Sequence, residues 1–211
     1  MTTTTAEFPR TRYDGSRARP GFAVTKSIGL IASPRLELMS ATPELVLAAL
    51  AGAGELGALL DAQVPQTWPH EYLNTAAFEF FLGRLRQDQR QAGWWLRFVV
   101  LSAADGTRTL IGSAGYKGPP TPDGTLEIGY GIVSDQRRRG YATEVAQALV
   151  EQAFALRAVR RVIARTLPEL AASIGVLERC GFRLIGGDSR AGPLRFELSR
   201  EEHRALRGRS E

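Results

Sequence analysis

The sequence has very few of the residues that form crosslinks and metal centres. Among its 211 residues there is a single cysteine, Cys180, and there are two histidines, His70 and His203. One thiol cannot close a disulfide within the chain, and a lone cysteine with two distant histidines does not supply the ligands of a zinc site. The sequence therefore predicts neither a disulfide nor a metal centre.

Long hydrophobic runs are also absent from the sequence. No apolar stretch approaches the roughly 20 residues that a helix needs to cross a bilayer. The N-terminal segment MTTTTAEFPR does not have the charged and then apolar order of a secretory signal. We therefore expect a soluble, cytoplasmic protein without a membrane partner.

Lysine is scarce, and nearly all of the positive charge belongs to arginine. The chain has 27 basic and 22 acidic residues, a formal net charge of +5, and only Lys26 and Lys117 are lysines. A positive balance permits an anionic partner such as a nucleic acid, a membrane surface or a phosphorylated cofactor. The planar guanidinium group suits phosphate oxygens. Composition alone does not choose among these partners, because genome bias also enriches arginine.

The length and the hydrophobic content indicate one globular domain with short extensions. Hydrophobic residues make up 44% of the chain, an ordinary value for a protein with a buried core. Residues 1–30 contain a run of threonines, prolines, glycines and scattered arginines without hydrophobic periodicity, and we interpret them as a flexible basic arm. Residues 31–200 form the predicted domain, and residues 201–211 form a predicted solvated tail.

The hydrophobic pattern predicts strands and helices in a mixed order. Apolar alternation predicts strands at 35–39, 95–101, 109–116, 125–134, 161–165 and 194–198. Helical periodicity predicts a helix that begins at 43 and further helices at 74–91, 141–156 and 169–179. Short turns between the earlier strands favour antiparallel pairing, whereas the strand–helix–strand unit over 125–165 predicts a right-handed parallel crossover. The fold class is therefore α/β (α+β), with a mixed, mostly antiparallel central sheet and one parallel β-α-β crossover.

One turn in this crossover has the features of an anion site. Residues 136–142, QRRRGYA, lie between the end of a strand and the first turn of a long amphipathic helix. A helix start has about four amide groups without intrahelical partners and carries partial positive charge. Gly140 allows the backbone to approach a ligand closely, and the arginines add ionic contacts. The alternative is an ordinary basic surface loop with a glycine in its turn.

Two segments of the chain carry a family resemblance. The R-x-x-G-x-A pattern from Arg137 to Ala142 follows a strand that ends in GIVS, and it resembles the pyrophosphate-binding motif of the GNAT superfamily of N-acetyltransferases. Residues 167–182, LPELAASIGVLERCGF, resemble the closing segment of the branch that contains ribosomal-protein N-terminal acetyltransferases. The clear match covers 125–182 and a looser one covers 33–198. The resemblance implies the acyl-CoA N-acyltransferase fold, with acetyl-CoA as cofactor.

The resemblance also implies roles for individual residues. As in the family, the backbone of 132–134 would pair with the pantetheine arm, the amides of 138–143 would hold the pyrophosphate, and the Val133 amide would polarise the acyl carbonyl. Ser173 would contact the cofactor or give a proton to the departing thiolate. The cofactor-binding candidates are Ile132, Val133, Ser134, Arg137, Arg138, Arg139, Gly140, Tyr141, Ala142, Thr143 and Ser173. Tyr130 and Tyr141 provide other hydroxyl groups near this site. Cys180 is interpreted as a small buried residue.

The catalytic base is predicted from position and chemistry. Glu127 lies inside an apolar strand, where an unpaired carboxylate is costly and burial raises a carboxyl pKa. The family often has a glutamate on this strand. The alternative for Glu127 is a structural carboxylate bound to a neighbouring backbone group or arginine. His70 and Glu71, beside Trp68-Pro69 in a loop at the predicted acceptor mouth, are the other candidates.

Leu170 departs from the family pattern and keeps more than one function open. The branch usually has an asparagine here, which contacts the cofactor arm or orients the loop, so one polar contact is missing. The leading hypothesis is an N-acetyltransferase that moves an acetyl group from acetyl-CoA to a primary amine, either a protein N-terminus or a small molecule. The alternative is an acyl-CoA-binding sensor or partner domain with weak or no turnover. A third, less favoured hypothesis is nucleic-acid or ribosome binding through residues 1–30, and a homodimer is compatible with all three.

Overall fold

A computed structural model describes residues 29–187 and 192–208 of the chain. Within these residues one eight-stranded sheet has the strand order β1-β2-β3-β4-β5-β6-β8-β7. The strands are β1 Leu30–Ala32, β2 Leu36–Ser40, β3 Leu96–Ser102, β4 Arg108–Tyr116, β5 Thr125–Ile132, β6 Arg161–Thr166, β7 Arg183–Gly186 and β8 Leu194–Ser199. Neighbouring strands are antiparallel except β5 and β6, which are parallel. The predicted fold class is confirmed.

Helices cover both faces of the sheet. In the described ranges they are α1 Pro43–Ala51, α2 Ala53–Leu60, α3 Thr75–Gln87, α4 Tyr141–Ala155, α5 Ala171–Arg179 and α6 Arg200–Arg207. The first three bury an apolar layer against β3 and β4, in which Phe98 and Leu110 are central. The crossover helix α4 and α5 bury a second layer on the opposite face. Even α4, the longest described helix, lacks the length and hydropathy of a bilayer span.

β5 contributes side chains to both faces of the sheet. Leu126, Ile128 and Ile132 belong to the apolar layer under α4. Because side chains alternate along a strand, Glu127 and Gly131 lie on the opposite face. The face that carries these two residues is continuous with the one that α1 to α3 cover over β3 and β4.

β5 and β6 pair over a short distance and then separate. Residues Thr125 to Ile128 pair with residues Arg161 to Ala164. Beyond these pairs β5 stays beside β4, and β6 stays beside β8. No strand of the described residues fills the space between the separating ends, which we call the opening.

The sequence analysis did not predict β1, α2 and β7. The glycines of α2, Gly54 and Gly57, disfavour a helix by propensity. Leu56 and Leu60 are nonetheless buried from solvent in the apolar layer on the α1–α3 face. Burial of two leucines is worth several times the propensity penalty of a glycine, so tertiary packing decides this helix.

The structure describes little of the predicted N-terminal arm and most of the predicted C-terminal tail. Residues 1–28 of the predicted arm lie outside the described residues, and residue 30 falls in β1. Residues 201–207 of the predicted solvated tail belong to α6. A capping box, in which Ser199 and Glu202 each accept a backbone amide of the other, starts this helix. The His203 ring then stacks on Phe154 of α4, with 4.8 Å between ring centroids.

Candidate active site

The edge of β5 that faces the opening offers backbone donors and acceptors. The Val133 amide donates to the Ile111 carbonyl of β4 at 2.9 Å. Backbone polar groups alternate between the two edges of a strand, so those of Tyr130 and Ile132 are directed to the opening. The Val133 amide, predicted to polarise the acyl carbonyl, is therefore engaged inside the sheet, and the donors at the opening belong to neighbouring residues.

The turn between β5 and α4 leaves the first amides of α4 without partners. Arg138 and Gly140 have left-handed φ values of 61° and 82°, and glycine adopts this conformation without strain. The Glu144 amide makes the first helical bond, to the Gly140 carbonyl at 3.1 Å, and no side chain caps the helix. Among the described residues nothing accepts the amides of residues 141–143. Such a helix start favours an anion.

The structure brings the predicted cofactor residues together around this turn. Those that are exposed are Ser134, Arg137, Arg138, Arg139 and Gly140; those that are partly or fully buried are Ile132, Val133, Tyr141, Ala142 and Thr143. Ser173 joins them from the first turn of α5, on the β6 side of the opening. The turn and the end of β5 are consecutive in the chain, and α5 follows β6, so these residues lie on the elements that border the opening.

Arg35 stands beside the turn, although the sequence analysis assigned it no role there. Its guanidinium lies 4.6 Å from the centroid of the Tyr141 ring and donates to the Arg139 carbonyl at 3.3 Å. It also pairs with Glu144 at 2.7 Å. Burial disfavours the charge on Glu144, but bonds from Ser33 and Arg35 hold its pKa below the usual range. The sequence signal for Arg35 was its position as the first residue of the first predicted strand, which did not indicate this contact.

Arg137 is held by protein groups on both sides. Its Nε donates to the Ile132 carbonyl at 2.9 Å, and its Nη2 donates to the Glu71 carboxylate at 2.7 Å. Burial works against ionisation of Glu71, but a bond from its own backbone amide and the Arg137 charge keep its pKa below the usual range. Arg137 therefore connects the turn to residues 65–73, which we call the acceptor-mouth loop.

His70 is buried in the acceptor-mouth loop. Its Nδ1 accepts the Tyr72 amide at 3.3 Å, so the proton resides on Nε2, which lies 2.7 Å from the Ser113 hydroxyl. Burial lowers the pKa of His70 to about 4. The imidazole is neutral at pH 7 with both nitrogens engaged, which disfavours a role as base.

Glu127 lies on the same face of β5 as the acceptor-mouth loop and is paired with two cations. Its Oε1 is 2.8 Å from Lys117 Nζ, and its Oε2 is 3.1 Å from Arg165 Nη1. Its side chain is 13% exposed. These ion pairs agree with the structural alternative for this carboxylate, and its use as a base stays a prediction.

Two hydroxyls lie on the α5 side of the opening. The Tyr130 hydroxyl is buried and makes no hydrogen bond within the described residues. Burial raises the pKa of Tyr130, and the nearby Ser173 side chain opposes that rise. Leu170 precedes α5 as its cap residue and gives no side-chain cap. Burial raises the pKa of the Cys180 thiol to about 11, and this residue is buried as the sequence predicted.

Comparison with known proteins identifies the class to which this site belongs. The acetyltransferase (GNAT) domain family matches residues 36–183. This span contains the opening, the turn before α4 and α5. The chain therefore belongs to the GNAT acetyltransferase family, as the sequence motifs implied.

Similar structures and a curated relative agree with this assignment. A GNAT-family acetyltransferase from Bacillus anthracis covers 82% of this chain and 99% of its own, with 19% identity and a TM-score of 0.57. RimJ of Mycobacterium smegmatis, solved with a CoA-disulfide, covers 85% and 91%, with 19% identity and a TM-score of 0.53. RimL, a ribosomal L7/L12 α-N-protein acetyltransferase solved with coenzyme A, covers 81% and 97%, with 19% identity and a TM-score of 0.55. At these identities the structures show the shared fold.

The curated relative is an uncharacterised N-acetyltransferase, YjdG of Bacillus subtilis. It is 36% identical to this chain over 75 residues, which are 36% of this chain and 45% of the relative. The match thus spans less than half the length of that protein. Its name as an N-acetyltransferase supports a proposal for this chain rather than an assignment.

Proposed function

We propose that this protein transfers an acetyl group from acetyl-CoA to a primary amine. The observation that carries the proposal is the junction of two backbone sites: the uncapped start of α4 after Gly140, and the unpaired edge of β5 at the opening. The first suits a diphosphate, and the second suits an extended amide-containing arm. Family membership and the CoA-bound relatives support the same cofactor.

The residues around the turn fit this cofactor. The amides of residues 141–143, with the exposed Arg138 and Arg139 beside them, are suited to the pyrophosphate. The backbone groups of Tyr130 and the Ile132 amide are suited to the pantetheine amides, whereas the Ile132 carbonyl accepts a hydrogen bond from Arg137. Bound acetyl-CoA would supply an acetyl group activated as a thioester, which an amine attacks directly.

The chain's own groups suit the requirements of that attack. Amides of Tyr130 or Ile132 are the donors for a developing negative charge on an acyl oxygen. Ser173 and Tyr130 offer hydroxyl protons on the α5 side. Glu127 remains the candidate to accept the amine proton, directly or through water, while His70 positions the acceptor-mouth loop. The acceptor is a protein N-terminus, by likeness to the ribosomal-protein branch, or a small amine.

Cofactor binding is tested by thermal unfolding during titration with acetyl-CoA. A ligand that binds only the folded protein adds about 2.7 kcal/mol at a hundredfold excess over its Kd. We expect Gly140→Asp to abolish this gain, because a carboxylate would occupy the anion site. Gly106→Asp is the matched control, since Gly106 has a φ of 84° in a hairpin turn with open space around it. An absence of stabilisation of the wild type at millimolar acetyl-CoA would contradict the proposal.

A sensor that binds acyl-CoA without turnover is the second candidate function. The observation that favours it is Leu170, which leaves α5 without a side-chain cap where the family usually has a polar residue. The test is release of free thiol from acetyl-CoA with a panel of amines. Stabilisation by acetyl-CoA without thiol release in the wild type, together with release by Leu170→Asn, would favour the sensor.

A further inference from the structure

Three cations lie together on the face of the sheet opposite α4. They are Lys117, after the end of β4, Arg165 on β6 and Arg195 on β8, and we call them the cation cluster. The apolar layer under α1 to α3 is formed with β3 and β4. The same face of β5, β6 and β8 carries charged side chains instead. Lys117 and Arg165 are exposed to solvent, and Arg195 is partly exposed.

Two members of the cluster face each other directly across a strand pair. Arg165 and Arg195 are register partners in the antiparallel β6–β8 ladder. Partners in such a ladder have Cβ atoms about 5 Å apart, and like charges at that position destabilise the sheet. The fold thus places two arginines opposite each other on one face of the sheet, a like-charge pairing that a bound anion would relieve.

One carboxylate of the described residues, Glu127, pairs with two of these cations. Glu127 is 2.8 Å from Lys117 and 3.1 Å from Arg165. No ion pair joins Arg195 to a residue of the described ranges, and its Nε is buried without a hydrogen-bond partner there. Buried guanidinium nitrogens are normally satisfied, so this atom points to a ligand.

Two other carboxylates near this face pair with a different arginine. Glu197 lies 3.8 Å from Arg161, which in turn lies 4.0 Å from Asp123. Neither of these ion pairs includes Arg165 or Arg195.

The cluster borders the opening on its acceptor side. Arg165 directly follows Ala164, the last residue of β6 that pairs with β5. The Lys117 side chain lies over Gly129, with Cε 3.8 Å from the position of a Cβ. The cofactor turn follows the far end of β5. Along this strand Glu127 and Ile132 are separated by about 16 Å, at about 3.3 Å per strand residue. Phosphates held at α4 therefore do not account for these cations.

We propose that the cation cluster binds an anionic group, a carboxylate or a phosphate, on the acceptor amine. The inference rests on the proposed acetyl transfer and names the class of its acceptor: a small amine with an acidic group a few bonds from its nitrogen. Arg165 and Arg195 bind the anion through their planar donor sets. Glu127 holds Lys117 and Arg165 in place beside it. A neutral amine lacks this contact and binds more weakly.

The first test measures binding and does not depend on turnover. Calorimetry with coenzyme A in place of acetyl-CoA compares glycine with glycinamide, and phosphoethanolamine with ethanolamine. We expect the anionic member of at least one pair to bind more tightly, and the pair that shows it distinguishes carboxylate from phosphate. Loss of one charged hydrogen-bonding partner should weaken that binding about tenfold in Arg195→Gln. Arg86→Gln, an exposed arginine of α3, is the matched control.

The second test compares kcat/KM within each pair of amines. The ratio of the anionic to the neutral amine should fall about tenfold in Arg195→Gln and in Arg165→Gln, and Arg195→Lys should restore part of it. The two amines of a pair differ in basicity, but this difference is the same for every variant. It therefore cancels when the ratio of kcat/KM values is compared between variants. Because Arg195→Gln removes a repulsion between like charges, its Tm should equal or exceed that of the wild type.

The outcomes separate this inference from the proposed function. Equal binding of anionic and neutral amines, or a ratio unchanged in both arginine variants, would overturn the cation cluster as an acceptor site while acetyl transfer stands. Failure of every amine to release thiol would overturn acetyl transfer, and the calorimetric comparison would still decide whether the cluster binds an anion.

Discussion

Arg137 and Glu71 form an ion pair that joins the cofactor turn to the acceptor-mouth loop, with Nη2 2.7 Å from the carboxylate. The same guanidinium holds the Ile132 carbonyl at the edge of the opening. A second bond, from the Thr67 hydroxyl to Asp135 at 2.7 Å, makes a parallel connection. The turn that we propose to bind the cofactor and the loop that we propose to border the acceptor are thus held to each other by side chains.

Glu71→Gln should weaken this connection. We expect kcat/KM for the amine to fall several-fold, because the loop loses one of the two side-chain connections described above between it and the turn. Both side chains of the pair are nearly half exposed, at 44% and 49%, so the free energy of unfolding should change by at most about 1 kcal/mol. Glu151→Gln is the control, since it breaks a similarly exposed pair with Arg207 on α6. Equal kinetic losses in the two variants would contradict a specific role for Glu71.

His70 should make the stability depend on pH between about 4 and 6.5. Its folded pKa is lowered from 6.5 to about 4, so in this window the unfolded chain binds a proton that the folded protein does not. Stability should therefore fall as the pH drops from 6.5, by up to about 3 kcal/mol at pH 4.

Urea unfolding at a series of pH values measures this dependence. His70→Gln, which keeps a donor toward Ser113, should flatten the wild-type slope in that window. His203→Gln serves as the control variant and should leave the slope in place. A slope that persists in His70→Gln would assign the pH dependence to other groups.

Gly131→Ala should destabilise the protein and displace His70. A methyl group at this position would overlap the His70 ring, and overpacking of this kind costs about 1–3 kcal/mol. Gly129→Ala is the matched control on the same face of β5, because its methyl would meet Lys117 at an ordinary distance of 3.8 Å. Chemical denaturation of the two variants gives the comparison, and equal stabilities would show that the His70 ring moves aside freely.

Arg35 should support cofactor binding by neutralising Glu144 near the start of α4. In Arg35→Gln the Glu144 carboxylate loses this guanidinium partner and stays close to the proposed anion site. We therefore expect KM for acetyl-CoA to rise about tenfold, which is the effect of losing one charged hydrogen-bonding contact. The double variant Arg35→Gln/Glu144→Gln should recover much of this loss. A double-mutant cycle on KM provides the measurement, and additive effects would indicate that the two residues act independently on the cofactor.

Local sequence signals predicted the parts of the site that are built from neighbouring residues. The turn at Gly140 and the start of α4 follow from a glycine, a hydrophobic strand before it and an amphipathic helix after it. The crossover and its parallel pairing follow from the same short stretch. The arrangement of α5 with Ser173 in its first turn also follows from a helical pattern with its closing Gly181. These features depend on backbone conformation within about 60 residues.

Contacts between distant segments were not predicted from the sequence. The direction of the Val133 amide depends on the register of β5 against β4, and a one-residue shift would reverse it. The partners of Arg137 and Glu127 come from a loop and a strand elsewhere in the chain. Pattern and propensity do not specify which charged residues meet, because each is compatible with many partners.

The sequence by itself determined the mixed sheet and the glycine turn before α4, because local periodicity and glycine positions constrain the backbone directly. Its motifs indicated the family by resemblance. Only the tertiary structure decided which amides face the opening and that Arg137 is engaged with Glu71. It alone placed Arg165 opposite Arg195 beside Glu127. The physical reason is that strand register and long-range packing bring these groups within a few ångströms, where charge interactions become strong enough to matter.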